Sequence, residues 1–332
     1  MKIYNLEKNS LDQLKPLIVQ CNFIPFNEHG ITKDLIANYV INALSDIISE
    51  GGFVWVAEEN YEITGFISTE RSHWDSKHFG LEIAKINHII ASKENPESFR
   101  IKQNLISHLF RKYQADGIFN IHSRIYKEDL SSIHALESCN FRLMDVLVTY
   151  FFDLRQNARI SNGVLCRVRE FQQDEIHKLV KIVRRSFGNF PIAMDRFHAD
   201  PTLPKEKSTE IYVKWLITSS HALNSTILVA EVDGEPIGLN VCTINGELAE
   251  KLGIRIGNIA LVAVDPAFRE RYVATSLINA ALNWFVDKAD IVEIGVQVSN
   301  YKLQRVLCRL GFKIIRSQCT FHWSPEFERY NT

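Results

Sequence analysis

The sequence predicts an α+β protein made of two similar tandem domains, each a mixed, mainly antiparallel β-sheet flanked by helices. Three observations support this: the length of the chain, an internal repeat, and the order of elements within each copy. At 332 residues the chain is long enough for two domains that each bury a core. In each half the pattern predicts a strand, helices, three strands, a helix, a strand, a helix and a final strand.

Two pairs of similar segments reveal the repeat. A strand, a polar turn and a second strand surround Gly65, and the same arrangement surrounds Gly238, at an offset of 238 − 65 = 173 in the numbering. A predicted helix ends at Asn140 and its counterpart ends at Gly311, at an offset of 311 − 140 = 171. Both residue types accept the left-handed conformation that ends a helix. The nearly constant offset indicates a duplicated domain.

The polar segment 155–163 predicts the joint between the copies, because it contains a glycine and shows no apolar periodicity. We therefore expect domains at residues 1–157 and 164–332. The first is expected to lack the cofactor loop that is described below, and the second to contain it.

Composition excludes several function classes. The chain has 38 basic and 39 acidic residues, so its net charge gives no reason to bind nucleic acid or an anionic membrane. No signal peptide or membrane span is evident, which predicts a soluble cytoplasmic protein. Six scattered cysteines without metal-ligand spacing predict reduced core residues, with neither a disulfide nor a metal site. The sequence leaves the oligomeric state open.

The segment Asn258–Leu277 predicts a buried strand, a break at Asp265–Pro266, and a helix that begins beside two arginines. Unpaired N–H groups and the helix dipole favour an anion at such a helix start, and Arg269 and Arg271 add positive charge. The alternative is an ordinary strand-to-helix connection with two solvated arginines.

The first copy differs at the equivalent place. There Pro96 and Glu97 fall in the predicted first helical turn, and an acidic side chain at that position repels a pyrophosphate. The second half is therefore the candidate catalytic domain.

These residues resemble the GNAT superfamily of acyl-CoA-dependent N-acyltransferases. Its signature follows a strand and reads Arg or Gln, two residues, Gly, one residue, and Gly or Ala. Arg269 and Ala274 fit the first and last positions, whereas Tyr272 replaces the middle glycine, which would let the backbone approach a pyrophosphate. The resemblance implies that acyl-CoA, as acetyl-CoA or hydroxybutyryl-CoA, is bound by Val262, Ala263, Val264, Arg269, Glu270, Arg271, Tyr272, Val273, Ala274 and Asn300.

The superfamily also has an Asn after the fifth strand and, seven residues later, a Tyr that protonates the leaving thiolate. Asn300 fits the first position, but the second is Leu307. Tyr301 or Tyr272 is then an alternative acid, or the thiolate leaves without assistance because a thiol titrates at about pH 8.5. A backbone N–H between Val262 and Val264 is expected to stabilise the oxyanion.

Two further motifs resemble the nucleotide-amino-sugar N-acyltransferases, such as bacterial dTDP-fucosamine N-acetyltransferases. They are Trp74–Gly80 and Arg196–Pro201, with support from Leu147–Tyr150. The resemblance implies that the sugar is bound by Trp74, Asp75, Phe79, Arg196, His198 and Asp200. The structural alternatives are that Trp74 and Phe79 pack together and that His198 is an ordinary loop histidine.

The resulting hypothesis is transfer of an acetyl or hydroxybutyryl group from acyl-CoA to the amine of a dTDP-linked amino-dideoxy sugar for surface polysaccharide or lipopolysaccharide synthesis. His198, Glu293 and Asn300 are the candidate catalytic residues. One alternative is a non-catalytic tandem module that senses acyl-CoA or a sugar nucleotide. Another is an aminoacyl-tRNA-dependent peptidyltransferase, against which the neutral charge and the lack of a long helical insertion count.

Overall fold

The computed structural model describes residues 1–92, 96–156, 166–188 and 195–329. It forms two compact units: unit 1 consists of Met1–Val146 and Ser317–Thr332, and unit 2 of Leu147–Arg316. Most of the predicted joint lies outside the described residues, and the domain limits 1–157 and 164–332 stay a prediction. Among the described residues, no helix is long and apolar enough to cross a bilayer, and no cluster of His, Cys, Asp or Glu could hold a metal ion.

The described chain contains twelve strands and twelve α-helices. The strands are β1 (Lys2–Asn5), β2 (Phe53–Glu59), β3 (Glu62–Arg71), β4 (Ile83–Ala91), β5 (Asn120–Tyr126), β6 (Arg142–Asp153), β7 (Arg167–Glu170), β8 (Ser225–Val232), β9 (Glu235–Ile244), β10 (Ile256–Val264), β11 (Ile291–Gln297) and β12 (Lys313–Trp323). The helices are α1 (Lys15–Gln20), α2 (Lys33–Ser49), α3 (His73–Phe79), α4 (Ser98–Ala115), α5 (Leu130–Ser138), α6 (Ile176–Gly188), α7 (Arg196–Ala199), α8 (Lys205–Ser219), α9 (Gly246–Leu252), α10 (Val273–Phe285), α11 (Tyr301–Arg309) and α12 (Pro325–Arg329).

The sheet of unit 1 has the strand order β1-β2-β3-β4-β5-β12. Its pairs are antiparallel except for β4 with β5. Helices cover both faces, because inward and outward side chains of the strands alternate and both sets are apolar near the centre. Ile101 and Leu105 of α4 lie in the core of one face, and Leu44 of α2 lies with Val54 and Phe66 in the core of the other.

The sheet of unit 2 has the order β6-β11-β10-β9-β8-β7, and again only β10 and β11 among its pairs run parallel. Helix α10 buries a stripe at helical spacing that includes Ile278, Ala281 and Phe285. The structure thus places a mixed, mainly antiparallel sheet with flanking helices in each unit.

Each sheet ends in a strand from the other half of the sequence. In unit 2, β6 pairs with β11, with Asp153 opposite Ile291. In unit 1, the end of β12 pairs with β5, with Trp323 opposite Ile121. The sequence predicts a final strand for each copy, and both strands exist, but they are exchanged between the sheets.

Candidate active site

A cleft of about 790 Å³ opens in unit 2 between the end of β10, the start of α10 and the start of α11. Nine of the ten residues predicted to bind the cofactor line it, and Arg271 is the exception: its guanidinium lies 5.5 Å from the Phe268 ring centroid. The nine are Val262, Ala263, Val264, Arg269, Glu270, Tyr272, Val273, Ala274 and Asn300.

The cleft exists because β10 and β11 pair over only three residues. Their parallel register runs from Ile256 opposite Ile291 to Asn258 opposite Glu293, whereas β10 continues to Val264. The register of β10 with β9 also shifts between Ile259 and Leu261, which indicates a β-bulge. Beyond Asn258 the edge of β10 therefore lacks β11 as a partner, and its backbone groups can meet an extended ligand.

The turn from β10 to α10 is fixed by Asp265. Its carboxylate accepts a hydrogen bond from the Ala267 N–H at 3.0 Å, and Arg185 Nη1 lies 3.0 Å from the same carboxylate. Later in the same turn, Glu270 and Tyr272 have left-handed backbone conformations, with φ of 66° and 61°.

Tyr272 directly precedes α10 and makes no side-chain capping bond. A glycine at this position adopts a positive φ without strain, which adds a conformational reason for the glycine of the family signature. The first N–H groups of α10 have no acceptor within the helix, so they can bind an anion in the cleft.

Positive charge dominates the cleft. Its charged lining residues are Arg269, Lys302, Arg305 and Arg309 against one carboxylate, Glu270. Arg269 Nη2 donates to the carbonyl oxygen of Ser186 at 3.2 Å, and Lys302 Nζ lies 2.6 Å from Glu270. The hydrogen bond from Lys302 lowers the pKa of the Glu270 carboxyl. The cleft is therefore suited to a polyanionic ligand.

Comparisons with known proteins agree with the resemblance to the GNAT superfamily. Residues 191–312 match the acetyltransferase (GNAT) family. A tandem GNAT protein from the clavulanic acid biosynthesis pathway is 12% identical, with a TM-score of 0.59 over 97% of this chain and 98% of that one. The chain has the tandem GNAT fold. A GCN5-related N-acetyltransferase from Sphaerobacter thermophilus aligns with a TM-score of 0.62 at 13% identity, over 97% of this chain and 95% of that one.

Two curated relatives have higher sequence identity to this chain than these solved structures. An uncharacterized N-acetyltransferase from Methanocaldococcus jannaschii is 27% identical over 147 residues, 44% of this chain and 60% of that protein. The spore coat polysaccharide biosynthesis protein SpsD from Bacillus subtilis is 22% identical over 274 residues, 80% of this chain and 86% of that protein. The two solved structures match nearly the whole chain and confirm the predicted fold class.

The two positions where GNAT enzymes have an Asn and a Tyr have structural roles here. Asn300 caps α11, since its side chain accepts from the Leu303 N–H at 3.3 Å. Leu307 is fully buried in the core of unit 2, so no polar side chain reaches the cleft from there. Tyr272 and Tyr301 both line the cleft and are 60% and 64% exposed, which leaves each available as an acid.

Two predicted catalytic residues lie outside the lining of the cleft. His198 uses both ring nitrogens: Nδ1 lies 2.6 Å from Asp195, and Nε2 lies 3.1 Å from the Thr209 hydroxyl. Glu293 forms a bidentate ion pair with Arg316 at 2.9 and 2.5 Å. The catalytic roles of His198 and Glu293 stay predictions, and this geometry favours a structural role for each.

The predicted sugar-binding residues of unit 1 lie on α3. Asp75 and Phe79 are buried, and Asp75 accepts from the Ser72 hydroxyl at 2.8 Å and lies 3.4 Å from His122 Nε2. The ring of Trp74 stacks on His78 with centroids 6.0 Å apart. Asp75 is thus held at a fixed position within the unit.

The predicted sugar-binding residues of unit 2 lie on α7 and just after it. The Arg196 guanidinium lies 4.2 Å from the Phe197 ring centroid, and Asp200 accepts from the Thr202 N–H at 2.8 Å. The His198 ring stacks on Tyr212, which in turn stacks on Phe187 in the cleft wall with centroids 4.0 Å apart. The second motif therefore supports the cleft wall through aromatic contacts, and sugar binding by both motifs stays a prediction.

Lys302, Arg305 and Arg309 are lining residues that sequence reasoning missed. Their spacing of three and four residues puts them on one side of α11. The repeat contains a usable signal, because the equivalent residues of the first copy at an offset of 171 are Ser131, His134 and Ser138.

Proposed function

We propose that this tandem GNAT protein is an acyl-CoA-dependent N-acyltransferase that acts on the amine of a nucleotide-linked amino-dideoxy sugar. The observation that supports it most is the cleft of unit 2, which combines a strand edge without β11 as partner, a helix N-terminus and four cationic side chains. The family match over residues 191–312 includes the strand edge, the helix N-terminus and the four cationic side chains.

The donor half of the proposal follows from the shape of the cleft. The pyrophosphate of the donor lies at the first turn of α10, where Arg269 and the N–H groups after Tyr272 bind it. The pantetheine arm is an extended amide chain, so it pairs with the edge of β10 at Val262–Val264 as an added strand does. Its thioester then lies beside the backbone of β10.

The reaction needs little assistance once the reactants are held together. The neutral amine attacks the thioester carbonyl, the C–N bond forms, the C–S bond breaks, and the nitrogen loses a proton while the thiolate gains one. A backbone N–H of β10 between Val262 and Val264 stabilises the oxyanion. Tyr272 and Tyr301 are the lining residues that can protonate the thiolate, and the thiolate is also stable enough to leave alone.

The acceptor half rests on similarity and on the two short motifs. SpsD is described as a spore coat polysaccharide biosynthesis protein and matches 80% of this chain. In the motif around Trp74, the partly buried indole ring of Trp74 directly precedes the buried Asp75, and an aromatic ring next to a polar group is a common arrangement for binding a sugar.

The direct test is to incubate the pure full-length protein with a panel of acyl-CoAs and dTDP-amino sugars and to follow thiol release. We expect turnover with at least one pair of substrates. Absence of turnover with every donor and acceptor, under conditions in which CoA binds, would reject the enzyme and leave the sensor.

A charge reversal tests the donor pose. Arg269→Glu should raise the KM for the acyl-CoA at least about tenfold, because it replaces a cation of the anion site by an anion. Lys313→Glu is the control, since Lys313 is exposed in the same unit but lies outside the cleft. Equal KM values for the two variants would contradict the pose.

A non-catalytic module that senses acyl-CoA is the second candidate, favoured by the buried Leu307 at the position of the usual acid. Calorimetry separates the two candidates. Tight binding of acyl-CoA and sugar nucleotide without product would support the sensor.

A further inference from the structure

Two arginines of α11 line the cleft and form no ion pair within the described chain. Arg305 and Arg309 lie one helical turn apart, and both side chains are exposed. Neither has an ion-pair partner among the described residues of the chain, whereas Arg269 and Lys302 are bound to Ser186 and Glu270. The pair is thus free to bind a ligand in the cleft.

The repeat shows that the fold does not need these arginines. Leu307 and its counterpart Leu136 are both fully buried, at an offset of 307 − 136 = 171, so α5 and α11 present the same face to their sheets. On α5 the residues equivalent to the two arginines are His134 and Ser138. Two arginines occur only in the copy with the open cleft, so we link them to its ligand.

We propose that Arg305 and Arg309 bind the 3′-phosphate of the donor's adenosine and so distinguish CoA from forms of the donor that lack this phosphate. This inference rests on the proposed function and adds the residues that recognise one part of its donor. A phosphate monoester carries nearly two negative charges at pH 7, and two arginines four residues apart, whose Cα atoms are separated by about 6 Å along the helix axis, can bind it from both sides.

The donor's anionic groups have separate places in the cleft. The pyrophosphate lies at α10, where Arg269 and the helix N-terminus meet. The other three cations are on α11, where Lys302 is paired with Glu270 and the two arginines are not. A pantetheine attached to a carrier protein lacks the adenosine and its 3′-phosphate. Arginines that bind this phosphate therefore select the nucleotide form of the donor.

The test compares CoA with 3′-dephospho-CoA by calorimetry on the full-length protein. The wild type should bind CoA about tenfold more tightly, because exposed charge pairs contribute modestly. In the double variant R305A/R309A the Kd of CoA should rise about tenfold while the Kd of 3′-dephospho-CoA changes less than about twofold. The melting temperature should be unchanged, since both side chains are exposed and unpaired.

A matched control removes two cations elsewhere. R111A/K313A takes away exposed charges outside the cleft and should keep the preference for CoA. Equal affinity of the wild type for the two compounds, or a preference that persists in R305A/R309A, overturns the inference and leaves the proposed function standing. Failure of the wild type to bind either compound overturns both.

Discussion

The start of α4 in unit 1 and the start of α10 in unit 2 are equivalent positions, but the first is closed by a buried ion pair and the second opens into the cleft. The two glycines of the repeat fix the equivalence: a Cβ on Gly65 would lie 2.7 Å from Ile101, and a Cβ on Gly238 would lie 3.1 Å from Val273. These two partners are related by an offset of 273 − 101 = 172, close to the offset of the glycines themselves. The next residue is Lys102 in unit 1 and the small Ala274 of the signature in unit 2.

In unit 1 the lysine closes the junction between two helices. Lys102 is 4% exposed, and its Nζ lies 2.9 and 3.1 Å from the carboxylate oxygens of Asp129, which caps α5. The same ammonium donates to the hydroxyls of Ser131 and Ser132 at 2.7 and 2.8 Å. All three of its protons thus have nearby acceptors.

In unit 2 the same junction is open. Ala274 and the cap residue Asn300 both line the cleft, and neither places a charge there. Asn300 corresponds to Asp129 at an offset of 171, and each caps its helix through a side-chain oxygen. Unit 1 therefore has a lysine and an aspartate at the junction where unit 2 has an alanine and an asparagine.

The largest effect is expected from breaking the closed junction. Lys102→Met leaves the carboxylate of Asp129 buried without its cation, and it should lower the free energy of unfolding by about 3 kcal/mol. Urea denaturation followed by circular dichroism measures the change. Lys112→Met on the same helix is the control, because the Lys112 side chain is 39% exposed and its pair with Asp116 should contribute less than about 1 kcal/mol. Similar losses for the two variants would show that the network does not stabilise unit 1.

The second prediction asks whether the same ion pair would close the cleft of unit 2. The double variant A274K/N300D transfers the ion pair into unit 2 and should raise the Kd of CoA on the order of 100-fold, because the lysine fills the space beside the helix N-terminus. Ala274→Ser is the control, which keeps a small residue and should bind CoA as the wild type does. Unchanged CoA affinity in the double variant would break the comparison, provided that thermal denaturation shows both variants to be folded.

Local patterns explain why the fold and the centre of the site were predictable. The apolar strand, the Asp265–Pro266 break and the arginines are adjacent in sequence, so the strand, turn and helix follow from one segment. The asymmetry between Pro96 and Glu97 in one copy and arginines in the other also follows from sequence. It identifies the copy in which the open cleft lies.

Long-range partners explain what sequence did not predict. Tertiary contacts decide whether β6 or β12 completes a given sheet, because both strands have the pattern of a final strand. Sequence likewise could not show that His198 binds Asp195 and Thr209, or that Glu293 binds Arg316. Partners distant in sequence decide whether a histidine or glutamate is available for catalysis.

The smallest expected effect concerns Tyr272, where the open copy departs from the family signature. Its φ of 61° is strained for a tyrosine, and the side chain is 60% exposed, so Tyr272→Gly should raise the free energy of unfolding by about 0.5 kcal/mol after the entropy cost of glycine. Asp287→Gly is the control: its φ is 64°, it lies outside the cleft, and it should give a similar gain.

The activities of the Tyr272 variants then decide what the side chain does. If the Tyr272 side chain takes no part in the reaction, Tyr272→Gly should keep kcat and leave the KM of the donor equal or lower. A loss of kcat shared by Tyr272→Gly and Tyr272→Phe would instead assign the phenol as the proton donor to the thiolate, because phenylalanine keeps the ring and removes only the hydroxyl. The second result would explain how the open copy works with the buried Leu307 at the position of the usual acid.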